Sequence, residues 1–219
     1  MNRILSLGFS PFLILATDSL ILILLNTILQ KYGGKSQGDM FITCATIAQS
    51  YLLLITSPMI GISGGTQAIL SYNYGARRAD RVKDAERDIL GVMLIFTTIM
   101  FLLSRLVPRY FVLLFTSDPQ YISFSVWAIH TYTLMIIPLS FQYVFVDGLT
   151  ALDRPKTGLA LSVTRKSLFV LSAAILPVFF DAKAAFFAEP VADGVCSVLS
   201  TVVFLLLINR HLQKRCQTV

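Results

Sequence analysis

The sequence predicts an all-α protein that crosses a membrane several times. Hydrophobic residues make up 55% of its 219 residues and charged residues only 14%, too few polar side chains to cover a soluble domain of this size. The apolar residues lie in long continuous runs, and a helix needs about 20 such residues to cross the hydrocarbon core of a bilayer. Strands of a membrane barrel would be shorter and would alternate polar with apolar residues.

We predict six membrane helices that form a single lobe. Their approximate bounds are 5–29, 41–70, 89–106, 121–152, 159–180 and 184–208. The first run is too long for a cleaved signal peptide and carries Asp18 near its middle, so we expect it to remain in the membrane as a helix.

The distribution of positive charge predicts the orientation. If the amino terminus is cytoplasmic, thirteen of the eighteen Lys and Arg residues lie on the cytoplasmic side and five on the other, as the positive-inside rule requires. We therefore expect a protein of the cytoplasmic membrane, in contact with its lipids, with both termini in the cytoplasm. The net charge of +6 reflects this topology and does not indicate a nucleic-acid partner. Acids and bases alternate in the block from Arg77 to Asp88, which is typical of a solvated helical surface.

Asp18 is the first candidate for a functional group. A carboxyl group within a membrane span is costly to expose to lipid, so we expect it to face the bundle interior, a water-filled path or a partner. Ser10 and Thr17 share one side of this helix, and Asp18 extends the same broad polar side. Such a carboxyl group can bind a proton or, with further oxygen ligands, a sodium ion. The alternative is a structural acid that bonds to another helix.

The second run contains small residues at helical spacing. Ser57, Gly61 and Gly65 recur every four residues and therefore share a face that lets another helix approach closely. Gln67 follows near the end of this run, where an amide can bond to a neighbouring helix. The glycines are thus predicted to be packing or hinge positions.

Charged residues also occur in the later runs. We predict that Arg165 pairs with Asp147 or Asp153, or extends to the lipid headgroups. Glu189 and Asp193 are four residues apart on one helical face, which favours either an acid pair in an outer vestibule or a role in solvating the helix end.

The sequence lacks the usual signs of an enzyme. No clustered His and carboxylate residues suggest a metal site, and neither a nucleophilic triad nor a phosphate-binding glycine loop is evident. We therefore expect no cofactor. A membrane-embedded enzyme is disfavoured because its acids would cluster at one membrane face, whereas these acids are scattered.

Several segments, in the correct order along nearly the whole chain, resemble the multidrug and toxic compound extrusion (MATE) family of transporters. LGFSPF (residues 7–12) and QKYGG (residues 30–34) are similar to that family's seventh helix, and SYNYGA (residues 71–76) to the end of its eighth. Other similar positions, in helices ten to twelve, are Pro138, Phe141, Gln142, Gly148, Arg165 and residues 189–193. Members of the family have two lobes of six helices, and this chain resembles the C-terminal lobe.

The resemblance implies a secondary antiporter that exchanges an organic cation or drug for protons or sodium ions. Asp18 falls where many members have a glutamate implicated in cation coupling. Some relatives have a further acid where this chain has Leu139, and this departure leaves a sodium site incomplete. The implied substrate-path or packing residues are Asn26, Gly61, Gly65, Gln67, Pro138 and Gln142, and the secondary candidates are Arg165, Glu189 and Asp193.

Two other hypotheses stay open. The chain is alternatively an inactive truncated or split-gene lobe that needs a separate N-terminal lobe or a second copy of itself. It is also compatible with a flippase for lipid-linked sugars, because such proteins share the general architecture.

Overall fold

The fold of the described residues is entirely helical. The computed structural model describes the backbone of residues 2–216 and the side chains of residues 19–34 and 37–208, and this part of the chain contains helices and no strand. The all-α prediction is confirmed. The elements are α1 (Asn2–Gly75), α2 (Ala79–Leu106), α3 (Pro108–Val112), α4 (Pro119–Tyr132), α5 (Ile136–Ala151), α6 (Pro155–Phe179), a 3-10 helix (Ala182–Phe187) and α7 (Ala188–Cys216).

Within the described part, four helical segments are long and apolar enough to cross a membrane, namely Gln37–Gly75, Ala79–Leu106, Pro155–Phe179 and Ala182–Ile208. Helices α4 and α5 meet at an angle of 46° and form a fifth span if they are counted together. The sequence predicts one uninterrupted helix over 121–152, but the structure breaks it between Tyr132 and Ile136. The predicted run 5–29 lies largely outside the described side chains.

Helix α1 is two arms joined at Gly34, whose backbone lies in the left-handed region (φ 65°, ψ −170°) that glycine adopts without strain. The first arm is residues 2–33 and the second arm is Gln37–Gly75. The arms turn back on each other so closely that a Cβ atom at Gly33 would lie 2.8 Å from the Cα atom of Gly38. Glycine is therefore required at positions 33 and 34 of this turn.

Hydroxyl groups join α5 to the long helix α2. The Oγ1 atom of Thr97 lies 2.8 Å from the Oγ atom of Ser140, and the Oγ atom of Ser104 lies 3.0 Å from the Oγ1 atom of Thr133 just before α5. All four residues are buried. Because a bilayer offers buried hydroxyls no water, such pairs satisfy one another and hold the helices together.

Two further hydroxyl groups join α5 to the second arm of α1. The Ser63 hydroxyl donates a bifurcated hydrogen bond to the carbonyl oxygen of Tyr143, at 3.0 Å, and to the Asp147 carboxylate. Ser71 donates one to the carbonyl oxygen of Ala151 at 3.2 Å. The two helices run parallel, since both donor and acceptor numbers advance by eight residues. Helix α5 is thus held on two sides by polar contacts.

An aromatic cluster holds the chain where it enters α7. The ring of Phe186, in the 3-10 helix, lies 5.3 Å from that of Phe124, 5.5 Å from Trp127 and 5.8 Å from Tyr132, measured between centroids. Phe186 is only 1% exposed. The 3-10 helix runs back along α6, so that α7 begins beside the middle of α6 rather than at its end.

The turn of α1 yields a testable contrast between two glycines. We expect Gly33→Ala to destabilise the protein by about 1–3 kcal/mol, because the new methyl group must displace the backbone of Gly38. Gly61→Ala is the matched control, since a Cβ atom there meets nothing within 4 Å. The measurement is the unfolding of each purified variant in detergent, and equal stability of the two variants would contradict the close approach.

Candidate functional site

The middle of the bundle contains a network of three charged side chains. The Nε atom of Arg165 on α6 lies 2.6 Å from the Oδ1 atom of Asp193, and its Nη2 atom lies 2.9 Å from the Oε1 atom of Glu189. The two acids are four residues apart on α7 and therefore share one helical face. One guanidinium fork thus binds two carboxylates.

The surroundings of this network are largely dry. The side chain of Asp193 is completely buried, and its Oδ2 atom lacks a hydrogen-bond partner among the described residues. Tyr143 on α5 lies beside Arg165 in the same cavity wall. A charge buried in this way is stable only when it is paired, so the three charged groups depend on one another.

These positions correct two expectations. The predicted pairing of Arg165 with Asp147 or Asp153 is wrong, because Arg165 binds the two acids of α7 instead. A helix-end solvation role for Glu189 and Asp193 is also wrong, because Asp193 is inaccessible to solvent and Glu189 is largely buried. The physical reason is the 3-10 helix, which brings the start of α7 into the bundle.

A cavity of about 930 Å³ lies beside this network, between α5, α6 and the two arms of α1. Its volume is near the upper end of that of small-molecule sites. Aliphatic side chains form most of the wall and a few polar groups interrupt it. The lining residues are Ile21, Ile60, Gln142, Tyr143, Val146, Asp147, Leu159, Ser162, Val163, Arg165, Lys166, Ser167, Val170 and Leu171.

The polar groups of this wall suit the recognition of an organic solute. Arg165 and Lys166 supply positive charge, Asp147 supplies negative charge, and Gln142 and Tyr143 supply an amide and a hydroxyl. The Oε1 atom of Gln142 is buried and lacks a partner within the described part of the chain. A few oriented polar groups in an apolar wall are what a pocket needs to orient a ligand.

A second polar group lies where α5 approaches its end. Asp147 accepts a hydrogen bond from Ser63 at 2.5 Å, and the Gln67 side chain lies nearby. Glu86 of α2 packs against Gly148, the next residue of α5, so closely that a Cβ atom on Gly148 would collide with the Glu86 carboxylate.

Glu86 is a site residue that sequence reasoning missed. Its charge pattern predicts a solvated surface, but the side chain is only 5% exposed, so this prediction is wrong for Glu86. The block around it is solvated as predicted at Lys83, Asp84 and Arg87. The sequence offered a signal in Gly148, whose missing side chain leaves room for Glu86. This signal can be interpreted only when it is known that α5 packs against α2.

The predicted site residues do not all come together. Gln142 and Arg165 line the cavity, and Gln67 reaches its edge through Asp147. Pro138 is half-buried in the first turn of α5, and Asn26 is exposed. Asp18 lies outside the described side chains.

The prediction that Gly61 and Gly65 admit a neighbouring helix is not met within the described residues. Both are exposed, and a Cβ atom on either would meet nothing within 4 Å. The small-residue spacing is present, but no described helix of this chain packs on that face.

A family model and a known transporter match this chain. The family model described as MatE matches residues 15–176. An FAD transporter from Shewanella oneidensis is 26% identical over 136 residues, which are 62% of this chain and 29% of the relative.

Solved structures share the fold. An inward-facing multidrug resistance MATE family transporter of the MOP superfamily gives a TM-score of 0.80 at 16% identity, over 93% of this chain and 46% of that one. A MOP superfamily transporter from Pyrococcus furiosus is described as having a binding pocket of reverse polarity. Its structure gives a TM-score of 0.78 at 16% identity, over 90% of this chain and 44% of that one. The chain thus spans less than half the length of these transporters.

The charged network predicts a specific order of stabilities. Arg165→Met should destabilise the protein by about 3–5 kcal/mol, because it leaves two buried carboxylates without their cation. The triple variant Arg165→Met, Glu189→Gln, Asp193→Asn should lose less, because it removes all three charges together. Arg81→Met, at an exposed arginine, is the control. Denaturant unfolding in detergent measures these differences. A triple variant with a lower free energy of unfolding than Arg165→Met would show that the three charged groups do not depend on one another.

Proposed function

The chain belongs to the MatE family of membrane transporters, and we propose that it forms one lobe of a secondary transporter that exports a small organic solute in exchange for protons or sodium ions. The family and fold are those of transporters rather than enzymes. The observation that carries the proposal is the cavity beside the charged network, which combines an apolar wall with the amide of Gln142, the hydroxyl of Tyr143 and the guanidinium of Arg165.

The proposed cycle uses two states of the bundle. The solute occupies the cavity between α5, α6 and the arms of α1, while the coupling ion occupies Asp18 on the first arm. Ile21, one helical turn from Asp18 in sequence, lines the cavity, which supports a position of the ion site near the solute. Ion binding changes the relative stability of the inward-facing and outward-facing states, and rocking of a lobe then exposes the site to alternate sides.

A second lobe is part of the proposal. The matched transporters are more than twice as long as the matched part of this chain, and their lobes act as a pair. We propose that a separately encoded N-terminal lobe or a second copy of this chain completes the transporter in the cytoplasmic membrane, with both termini cytoplasmic. The competing hypothesis is a lobe that stays inactive without its partner, so transport is to be measured with and without one.

The leading substrate class is an organic cation or drug, as the resemblance to multidrug transporters implies. Asp147 is the group in the cavity wall that would attract it.

An anionic solute of the nucleotide type is the second candidate. Arg165 and Lys166 both line the wall, and the relative from Shewanella oneidensis is named an FAD transporter. The Pyrococcus furiosus protein is described as having a binding pocket of reverse polarity, which supports the view that pockets in this fold can accept solutes of either charge.

Filling the cavity tests its role. Leu171→Trp should lower transport of the substrate, because the indole occupies cavity space, whereas Leu206→Trp should have little effect, because Leu206 is an exposed residue outside the cavity wall. The assay follows a fluorescent cationic dye and, separately, a flavin nucleotide in vesicles containing the chain with its partner lobe. Equal rates for the two variants would exclude this cavity as the solute site.

The role of Asp18 is tested by Asp18→Asn. We expect loss of transport driven by an ion gradient, with membrane insertion unchanged, because the amide cannot exchange a proton and binds a cation weakly. Asp39→Asn is the control, since Asp39 is an exposed acid in the second arm of α1. Gradient-driven transport by Asp18→Asn at the parent rate would remove Asp18 from the mechanism.

A further inference from the structure

The contact between α2 and α5 buries a carboxyl group that the proposed mechanism does not use. Glu86 is 5% exposed, and neither of its oxygens has a hydrogen-bond partner in the described structure. Burial of an ionised carboxylate without hydrogen bonds or a counter-ion is far more costly than burial of the neutral acid. Its environment therefore favours the form that carries a proton.

Among the described residues, Asp147 is the charged neighbour that acts on Glu86, and it carries negative charge. The second arm of α1 contributes the neutral Ser63 and Gln67 to this region, and α5 contributes Asp147. Two neighbouring carboxylates repel each other, so the pair is more stable when one of them is protonated.

The two acids have unequal surroundings. Asp147 accepts a hydrogen bond from Ser63, which stabilises its ionised form, whereas Glu86 accepts none. Pairs of acids whose environments differ in this way hold their protons separately. This difference in hydrogen bonding favours a proton on Glu86 over one on Asp147.

The pair also adjoins the solute site. Asp147 lines the cavity, and the adjacent Gly148 contacts Glu86. Because Asp147 and Glu86 act on each other through their charges, a proton bound at Glu86 alters the electrostatics of the cavity wall. Binding of that proton changes the charge of the pair from two negative charges to one.

We propose that Glu86 and Asp147 form a proton-binding pair that communicates with the cavity through Asp147, separate from Asp18. Its part in ion coupling rests on the proposed transport function, but proton binding by the pair does not. Gly148 makes the pair possible, because any side chain there would displace the Glu86 carboxylate.

Infrared spectroscopy of the full chain in lipid tests this proposal directly. Protonated carboxyl groups have a carbonyl stretching band that carboxylates lack. At neutral pH we expect Glu86→Gln to remove part of this band, whereas Asp84→Asn, at an exposed acid of the same helix, should leave it unchanged. A band of the same intensity in the parent and in Glu86→Gln would overturn the proposal.

A second variant keeps the test decisive if Glu86→Gln fails to insert. Asp147→Asn removes the neighbouring negative charge, so the Glu86 band should disappear at lower pH than in the parent. An unchanged titration of the band in Asp147→Asn would show that the two acids do not interact, and would overturn the pair. These measurements need no transport, so a proton-loaded pair in a chain that moves no solute would contradict the proposed function alone.

Discussion

The structure depends on the requirement that polar groups buried in a bilayer find their partners within the protein. The clearest case is Arg165, whose guanidinium binds both acids of α7 and lies beside Tyr143. None of these groups has an alternative partner in lipid. The contact therefore fixes the axial position of α7 relative to α6, and it places the Arg165 guanidinium at the edge of the cavity.

The same requirement explains the central position of α5. Hydroxyl pairs join it to α2, and Ser63 and Ser71 join it to the second arm of α1, while its opposite face carries Gln142 and Tyr143 toward the cavity. Polar contacts in this protein thus have two uses, since the helix that they hold in place also presents the groups able to recognise a solute. Gly148 extends this arrangement by admitting the carboxylate of Glu86 to the surface of α5.

The helical class was predictable because long apolar runs leave no other way to satisfy the backbone in a bilayer. The predicted run 121–152 is apolar throughout, yet the structure bends it near Thr133, where a hydroxyl contact with Ser104 lies beside the break. Gly61 and Gly65 have the spacing of a helix-packing face, but no described helix covers them. Periodicity indicates that a face is suitable for packing without indicating which helix occupies it.

The sequence by itself determined the all-α membrane class and the family, because the first depends on local composition and the second on motifs along the chain. Only the tertiary structure decided the partners of Arg165 and the burial of Glu86. The alternating charges from Arg77 to Asp88 predict that Glu86 is exposed to solvent, because this prediction considers only the residues near it in sequence. Burial instead depends on distant residues such as Gly148, which meet Glu86 only after the helices have packed.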